Sequence, residues 1–254
     1  MIMIPKIIHY CWFGGNPLPE SAKKCIASWC KFLPDYEIKE WNESNFDVNI
    51  IPYTAEAYRA KKYAFVSDYA RFYILYKYGG LYFDTDVEVI RNMDDIIARG
   101  PFMGCEGETM KGFPQDKSLS IGTCINPGLG IGATVNLSFY KEILDIYSKL
   151  HYVISDGSVS EETVVTITTQ SLYRKGFENK EEVQEVNGIW IYPKEYFCPM
   201  SNLSKQLKIT KNTRSIHHYD GTWLPPRQKL AMWIKMHLGK RVFDLMCRIQ
   251  RLVK

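Results

Sequence analysis

Two aspartates separated by one residue lie in the apolar segment GGLYFDTDVEVI, residues 79–90. On a β-strand Asp84 and Asp86 would point to the same face, with Glu88 further along it. Carboxylates this close repel each other unless water or a cation compensates for their charge. Paired carboxylates suit a hard divalent cation with open positions for phosphate oxygens. The segment therefore indicates a metal–phosphate site, although an isolated Asp-x-Asp triplet is more often a solvated strand face.

A second charged pair, Asp68 and Arg71, lies on the predicted helix that precedes this strand. The spacing i, i+3 puts both side chains on one helical face. On the residues alone, a surface ion pair of little energetic worth is the simpler interpretation. The alternative is a fixed donor–acceptor pair that binds hydroxyl groups at the same edge of the sheet.

Aromatic and imidazole side chains could complete such a site. Trp12 ends the first predicted strand, where it is either a core residue or a stacking platform for a base. In SIHHYDGTW the adjacent histidines would face opposite ways on a strand, so at most one of His217 and His218 reaches a given site. The indole of Trp223 could close a pocket after the turn.

The elements that must position these residues alternate between strand and helix. In the first half, the pattern predicts strands at 4–13, 36–41 and 81–89 and helices at 20–32 and 55–78. This alternation is typical of an α/β sheet, in which ligands bind beyond the carboxyl ends of the strands. In the less regular second half, it predicts strands at 122–132, 190–197 and 214–219 and helices at 137–150 and 161–175.

Composition sets the broad class. The 254 residues suffice for one large domain or two small ones. No uncharged apolar stretch reaches the length of about 18 residues that a transmembrane helix needs, and the N-terminus lacks the pattern of a signal peptide. The seven cysteines are irregularly spaced without a C-x-x-C pair, so we expect reduced thiols in a cytosol rather than a zinc or redox site.

The charge is concentrated at the C-terminus. Residues 227–254 contain eight Lys or Arg against one Asp, a charge of +7, whereas the whole chain carries +4 and the rest therefore −3. Apolar residues recur at helical spacing in this segment, which predicts a basic amphipathic helix beyond a catalytic domain of residues 1–226. The helix either packs on the domain or lies on an anionic membrane surface. Nucleic-acid binding fits less well, because the acidic body offers no basic groove.

The motifs in their joint order resemble the DXD-containing glycosyltransferases of family 32, which include bacterial capsule and lipopolysaccharide sugar transferases. The matching segments are PKIIHYCWFGGNPLPESAKKCIASW, YAFVSDYARFYILYKYGGLYFDTDVEV and SIHHYDGTW. The resemblance covers roughly residues 4–135 and 190–224. It implies a GT-A fold, a Rossmann-like mixed sheet flanked by helices, and a nucleotide-sugar donor.

The resemblance also implies roles for the charged residues. Asp68 and Arg71 would hold the hydroxyls of the donor sugar, and with Asp86 they would form the catalytic set. Asp84 would touch the ribose and help to place the metal, and Asp86 would be a direct ligand. His218 falls where the family has its C-terminal metal ligand.

Three further positions correspond to donor contacts in the family. Trp12 would stack on the base, Asn126 would contact the sugar, and Trp223 would cover the diphosphate. The segment TVVTITTQSLYRKG lacks the Gly-Pro that relatives carry nearby, so no role is assigned there.

Together these features predict a metal-dependent glycosyltransferase that acts with retention of anomeric configuration. It would move a hexose or N-acetylhexosamine from a nucleotide sugar, with UDP favoured, to a saccharide acceptor. We expect Mn²⁺ rather than Mg²⁺, because Mn²⁺ tolerates an imidazole ligand better. A lipid-linked acceptor in capsular or lipopolysaccharide synthesis would suit a cytoplasmic enzyme that is peripheral on the inner membrane face.

Two other classes remain open on the residues alone. An apolar strand ending in D-x-D-x-V also opens haloacid-dehalogenase-type phosphohydrolases, in which Asp84 would be the nucleophile and Asp86 a general acid. Over eighty residues precede the motif here, which argues against that class. A non-catalytic carbohydrate- or membrane-binding module built on aromatic patches is the other alternative.

Overall fold

The computed structural model describes residues 3–107, 123–153, 158–160, 162–201 and 206–221. The strands in this part of the chain are β1 Ile7–Cys11, β2 Glu37–Trp41, β3 Gly80–Tyr82, β4 Val87–Val89, β5 Phe102–Gly107, β6 Thr123–Ile125, β7 Ile131–Ala133, β8 Gln184–Val186, β9 Ile189–Tyr192 and β10 Ser215–His217. The helices are α1 Glu20–Phe32, α2 Pro52–Arg59, α3 Tyr63–Tyr78, α4 Asp94–Ile97, α5 Ser138–Tyr147, α6 Val164–Tyr173 and α7 Lys194–Phe197. A 3-10 turn spans Pro127–Leu129.

A mixed sheet forms the centre of the fold, with strand order β2-β1-β3-β7-β5-β9-β8 and β6 paired to β5. β1 is parallel to both β2 and β3. β7 is antiparallel to β3 and to β5, and β5 is parallel to β9. The carboxyl ends of β1, β3, β5 and β9 therefore lie at one edge of the sheet, where the α/β prediction expects ligands. β4 and β10 form a separate antiparallel pair.

Helices cover both faces of the sheet, and two apolar clusters fill the two layers. Ile8 of β1 and Leu81 of β3 enter the cluster that contains Trp29 of α1. Tyr82, the next residue of β3, enters the other cluster with Phe72 of α3. Alternation along each strand produces this division, because successive side chains point to opposite faces. The prediction of an α/β fold with a mixed sheet flanked by helices is confirmed.

The helix predicted over 55–78 is two helices rather than one. α2 begins at Pro52, where proline suits a first helical turn, and ends at Arg59. Lys61 then takes a left-handed conformation with φ +57°, and the backbone N–H of Lys62 donates to the carbonyl of Ala57 at 2.9 Å. This reversal separates α3, which runs towards β3 with Asp68 and Arg71 on it.

Two glycines join α3 to β3. Gly79 ends the helix with φ +63°, and Gly80 follows with φ +100°. A Cβ on Gly80 would lie 2.5 Å from the carbonyl oxygen of Ile7, which is backbone and cannot move aside cheaply. Glycine is therefore required for β3 to pair closely with β1.

The prediction of one continuous strand over 81–89 is wrong. β3 ends at Tyr82, and the segment resumes at Val87 in the other sheet. Between them the N–H of Val87 donates to the carbonyl of Asp84 at 3.0 Å, which closes a turn. Trp29 Nε1 donates to the Val87 carbonyl at 2.7 Å and thereby fixes the end of the turn where β4 begins. Asp84 and Asp86 thus lie on a turn beyond the carboxyl end of β3, not on one strand face.

Within the described residues, no helix combines the length and apolarity needed to cross a membrane. Trp223 and the basic segment 227–254 lie outside the described residues, and so does the predicted division at residue 226.

Candidate active site

The Asp84–Asp86 turn is held from two directions. The backbone N–H of Asp84 donates to the carbonyl of Gly128 at 3.3 Å, and the N–H of His218 donates to the carbonyl of Asp86 at 2.9 Å. Asp86 Oδ2 accepts a further hydrogen bond from the N–H of Asp220 at 3.0 Å. The loop after β10 and the 3-10 turn therefore fix the turn in place.

Arg71 connects the α3 pair to this turn. Its Nη2 lies 2.8 Å from Asp68 Oδ1 and 3.3 Å from Asp84 Oδ1. Tyr82 supports the same group, because its hydroxyl donates to Asp84 Oδ1 at 3.0 Å and its ring lies 5.0 Å from the guanidinium. Only 4% of the Arg71 side chain is exposed. The surface ion-pair interpretation is therefore wrong: this is a buried charge network that reaches the Asp-x-Asp turn.

Burial perturbs the acids of this network. Burial raises the pKa of Asp68 to about 7, and the nearby Asp84 carboxylate adds to the rise against the opposing effect of Arg71. Burial also raises the pKa of Asp84, although Arg71 opposes it. Neighbouring acids hold the pKa of Arg71 above its usual range, so it remains a cation. Asp68 is consequently suited to a hydrogen bond with a neutral hydroxyl group.

The histidine that reaches the turn is His217, whereas the sequence resemblance pointed to His218. His217 Nε2 lies 3.3 Å from Asp86 Oδ1. His218 instead has its Nε2 2.9 Å from Glu88 Oε2. The register of β10 explains the difference, because His217 pairs with Val87 and faces the turn, and the next residue faces the other way.

His217 and Asp86 stabilise each other's charged forms. Although burial works against ionisation, the His217 ring and its hydrogen bond lower the pKa of Asp86 to about 2. Burial likewise disfavours the imidazolium, but the Asp86 carboxylate outweighs it and raises the pKa of His217. The turn therefore keeps an ionised carboxylate beside a nitrogen that can donate or ligate.

The residues present fit a divalent cation. One ligand atom each from Asp84, Asp86 and His217 lies within 4.8 Å of the others. The buried Nδ1 of His217 has no hydrogen-bond partner among the described residues. Gly128 packs so close to Asp84 that a Cβ there would lie 2.2 Å from Oδ2. Two carboxylates and one imidazole form a ligand set that Mn²⁺ accepts, with further positions left for oxygens of a substrate.

A buried carboxylate on β5, Glu106, links the two sides of the site. Its Oε2 accepts hydrogen bonds from Asn126 Nδ2 at 2.9 Å and from the Tyr219 hydroxyl at 3.2 Å. Asn126 Oδ1 accepts from the N–H of Gly128 at 2.7 Å, and the Tyr219 ring packs on His217 with centroids 4.2 Å apart. Glu106 thereby ties the Gly128 side of the turn to the His217 side.

Trp12 lies just beyond the carboxyl end of β1, at the same edge of the sheet. The side chain is partly buried, and its Nε1 donates to the carbonyl of Asn16 at 2.6 Å. It packs against one of the two apolar clusters. Its stacking role stays a prediction, as do the donor contacts of Asn126 and Trp223.

The part of the chain that carries the Asp-x-Asp motif, about one third of its length, matches a family profile. Residues 19–103 match the sequence profile described as "Glycosyltransferase sugar-binding region containing DXD motif". This segment is similar to a DXD-type sugar-binding region. The matched segment carries the Asp68–Arg71 pair and both aspartates of the turn, so the match agrees with the DXD-glycosyltransferase resemblance seen in the sequence.

The chain is also similar to proteins that are named as glycosyltransferases. Over 98 residues the chain is 36% identical to inositol phosphoceramide mannosyltransferase 3 of Schizosaccharomyces pombe, a match that covers 37% of this chain and 27% of that protein. Over 106 residues it is 33% identical to the uncharacterized glycosyltransferase L373 of Acanthamoeba polyphaga mimivirus, covering 39% and 42%. The matches thus span less than half the length of these relatives. Among solved structures, the PaToxG glycosyltransferase is similar at 21% identity over 68% of this chain and 70% of that one, with a TM-score of 0.46.

Sequence reasoning missed His217, Glu106 and Tyr219 as site residues. The adjacent histidines in the sequence indicated that one of them could reach the site. Only the register of β10 shows that this residue is His217 and not His218. Glu106 and Tyr219 belong to no short motif. The predicted strands do not include residues 102–107, so no sequence pattern placed Glu106 at the edge of the sheet.

Proposed function

We propose that this chain is a metal-dependent glycosyltransferase that moves a hexose or N-acetylhexosamine from a nucleotide sugar to a saccharide acceptor, with retention of configuration. One observation carries the proposal: ligand atoms of Asp84, Asp86 and His217 cluster within 4.8 Å. The buried Asp68–Arg71 pair joins them through Asp84. This combines a diphosphate-metal site with a sugar-hydroxyl site at one sheet edge.

Electrostatics favour a cationic cofactor in this site. The carboxyl groups of Asp68, Asp84, Asp86 and Glu106 surround one guanidinium and one imidazole. Asp84, Asp86 and His217 would hold the cation. When bound, it would compensate the negative charge that a nucleoside diphosphate gains as it departs. Mn²⁺ is our choice of metal, because His217 supplies a nitrogen ligand.

The chain's own residues would orient the donor. Asp68 would accept or donate a hydrogen bond at a sugar hydroxyl, and Arg71, already buried between two carboxylates, would keep both acids in place. Trp12, beyond β1, would stack on the base. These contacts would hold the anomeric carbon still while its bond to the diphosphate breaks.

Retention can proceed on a single face of the sugar. The acceptor hydroxyl would attack the anomeric carbon from the side that the diphosphate leaves, and its proton would pass to the departing phosphate oxygen. Glu106 is one carboxylate that the other route could use as a nucleophile, but its Oε2 already accepts two hydrogen bonds, from Asn126 and Tyr219. We therefore assign Glu106 a positioning role and keep the front-face route.

A donor screen tests this proposal. The protein is incubated with Mn²⁺ and each of UDP-glucose, UDP-galactose, their N-acetyl forms and GDP-mannose, and released nucleoside diphosphate is measured. GDP-mannose belongs in the screen because a relative is named a mannosyltransferase. We expect a UDP-sugar to be hydrolysed with a requirement for Mn²⁺. Cleavage of phosphomonoesters without nucleotide-sugar hydrolysis would instead favour a phosphohydrolase, and neither activity would favour a binding module.

The proposal extends to the acceptor and to the cellular location of the enzyme. A lipid-linked saccharide in surface polysaccharide synthesis would be reached best by an enzyme docked on the anionic inner leaflet. Residues 227–254, with a charge of +7, would supply that docking. The full chain and a chain ending at residue 226 are floated on anionic liposomes. Equal flotation of the full and the shortened chain would show that residues 227–254 do not provide membrane docking.

A further inference from the structure

A cavity lined by lysines opens beside the candidate active site. It has a volume of about 670 Å³, and Gly107, Lys180, Lys194 and Lys208 are among the lining residues. Gly107 is the last residue of β5, and Lys194 is the first residue of α7, just after Pro193 and the end of β9. Since β5 and β9 point the same way as β3, the cavity lies at the sheet edge that carries the Asp84–Asp86 turn.

Glu106 stands between the cavity and the turn. Its neighbours Cys105 and Gly107 line the cavity, while its carboxylate binds Asn126 and Tyr219 on the other side. The Tyr219 hydroxyl also lies 2.9 Å from the Cys198 sulfur, and the next residue of the chain, Pro199, again lines the cavity. Glu106 and Tyr219 therefore form a wall between residues that line the cavity and residues of the active site.

Lysines outnumber acids among the described residues that line the cavity. Two acids, Glu181 and Glu195, line it there with the three lysines. The Glu195 carboxylate accepts hydrogen bonds from Asn212 Nδ2 at 2.7 Å and from Thr210 Oγ1 at 2.8 Å, and these neutral donors lower its pKa and keep it ionised.

Two of the lysines make no ion pair among the described residues. Lys180 pairs with Glu178 at 3.2 Å, whereas Lys194 and Lys208 have no ion-pair partner within the described part of the chain. The Lys194 ammonium lies over the backbone at Gly107, where a Cβ would be 2.7 Å from Nζ. It therefore points along the cavity wall.

We propose that this cavity binds the acceptor, and that the acceptor carries a phosphate group recognised by Lys194 and Lys208. Lysine ammoniums act as point charges for phosphate, and charge-assisted hydrogen bonds are the strong ones. The volume accommodates a sugar phosphate, whose hydroxyl groups would then lie beside the wall formed by Glu106. The acceptor role rests on the proposed glycosyltransferase function, whereas the phosphate site can be measured without it.

Calorimetry with glucose 6-phosphate tests the site, in the presence of EDTA so that a cation cannot bridge phosphate to the aspartates. Methyl glucoside and methyl glucuronide are the neutral and carboxylate comparisons. We expect the phosphate to bind and the neutral sugar not to bind. Lys194→Gln and Lys208→Gln should each weaken binding about tenfold, since each removes one charged donor. Lys211→Gln, a lysine that does not line the cavity, should leave binding unchanged.

A second pair of measurements separates this proposal from the first. Asp86→Asn should lose nucleotide-sugar hydrolysis and keep glucose 6-phosphate binding, and the two lysine variants should do the reverse. Absence of hydrolysis by the wild type with intact phosphate binding would overturn the enzyme proposal alone. No binding of glucose 6-phosphate, equal binding of the glucuronide, or equal binding in the lysine variants would overturn the cavity proposal.

Discussion

His217 Nε2 lies 3.3 Å from Asp86 Oδ1, which brings the end of the last described strand onto the turn after β3. Because β4 and β10 pair with His217 opposite Val87, the contact depends on one register. A shift of one residue would present His218 instead. The C-terminal part of the chain thus contributes one of three side chains that could ligate a cation.

The two histidines provide a matched pair of variants. His217→Ala should weaken Mn²⁺ binding at least about tenfold, because it removes a ligand that the carboxylates cannot replace. His218→Ala removes the contact to Glu88, which lies outside the ligand group, and should bind Mn²⁺ nearly as the wild type does. Titration followed by electron paramagnetic resonance measures both affinities. A larger loss for His218→Ala would return the ligand role to that residue.

Glu106 distinguishes positioning from nucleophilic catalysis. Glu106→Ala removes the carboxylate that accepts from the Asn126 amide and the Tyr219 hydroxyl, so kcat should fall about tenfold or more with a smaller change in donor KM. Glu106→Gln retains an acceptor oxygen and should restore most of that activity. If the glutamine variant were as inactive as the alanine variant, the carboxylate itself would take part in the reaction.

Gly128 tests how closely Asp84 must be packed. A methyl group at this position would lie 2.2 Å from Asp84 Oδ2, so Gly128→Ala must displace the carboxylate. We expect a loss of Mn²⁺ affinity of at least about tenfold with the fold retained. Gly176→Ala serves as the control, because it has a left-handed φ of +96° but open space around its Cβ. Normal Mn²⁺ binding by Gly128→Ala would show that Asp84 has room to move.

How far the sequence alone can predict this molecule differs between its parts. The alternation of strand and helix to Tyr82, and the glycines that stop α3, follow from local patterns, and so they were predictable. These patterns bring Asp68, Arg71 and the aspartates to one sheet edge. The reversal at Lys61 was not visible, because a lysine with positive φ leaves no composition signal.

The parts that escaped prediction depend on contacts between distant segments. The turn at Asp84 replaces a strand because Gly128 and Trp29 bind its two sides, and neither partner is near in the sequence. Glu106 and Tyr219 are also far apart in the sequence and come into contact only in the folded chain. Choosing His217 over His218 required the register of β10, which an alternating pattern of three residues cannot fix.

The buried, neutral side chain of His9 should make the folded state less stable in acid. It is 1% exposed, and its Nδ1 must accept the hydrogen bond from Trp41 Nε1 at 3.1 Å, so Nε2–H donates to the Gly79 carbonyl at 3.0 Å. Burial lowers its pKa from 6.5 to about 4. Between these values the unfolded chain binds a proton that the folded chain does not. The free energy of unfolding should therefore fall by about 3 kcal/mol as pH drops from 6.5 to 4.

Urea denaturation at several pH values measures this contribution. His9→Gln can keep a donor and an acceptor but cannot titrate. Other groups also contribute to the pH dependence of the free energy of unfolding. The His9→Gln variant should therefore lose only the part of that dependence, about 3 kcal/mol, that is due to His9. An unchanged slope in His9→Gln would mean that His9 is not the group responsible.

The central claim is that a cation held at the Asp84–Asp86 turn drives transfer from a nucleotide sugar. Its most direct test is Mn²⁺-dependent hydrolysis of the best UDP-sugar by the wild type, Asp86→Asn and Glu88→Gln. Glu88 is the matched control, because it lies on β4 beside His218 and outside the three-residue ligand group. We predict that Asp86→Asn loses about 100-fold or more in kcat, while Glu88→Gln keeps its activity and its metal dependence. Equal losses in the two variants, or full activity of Asp86→Asn, would contradict the claim.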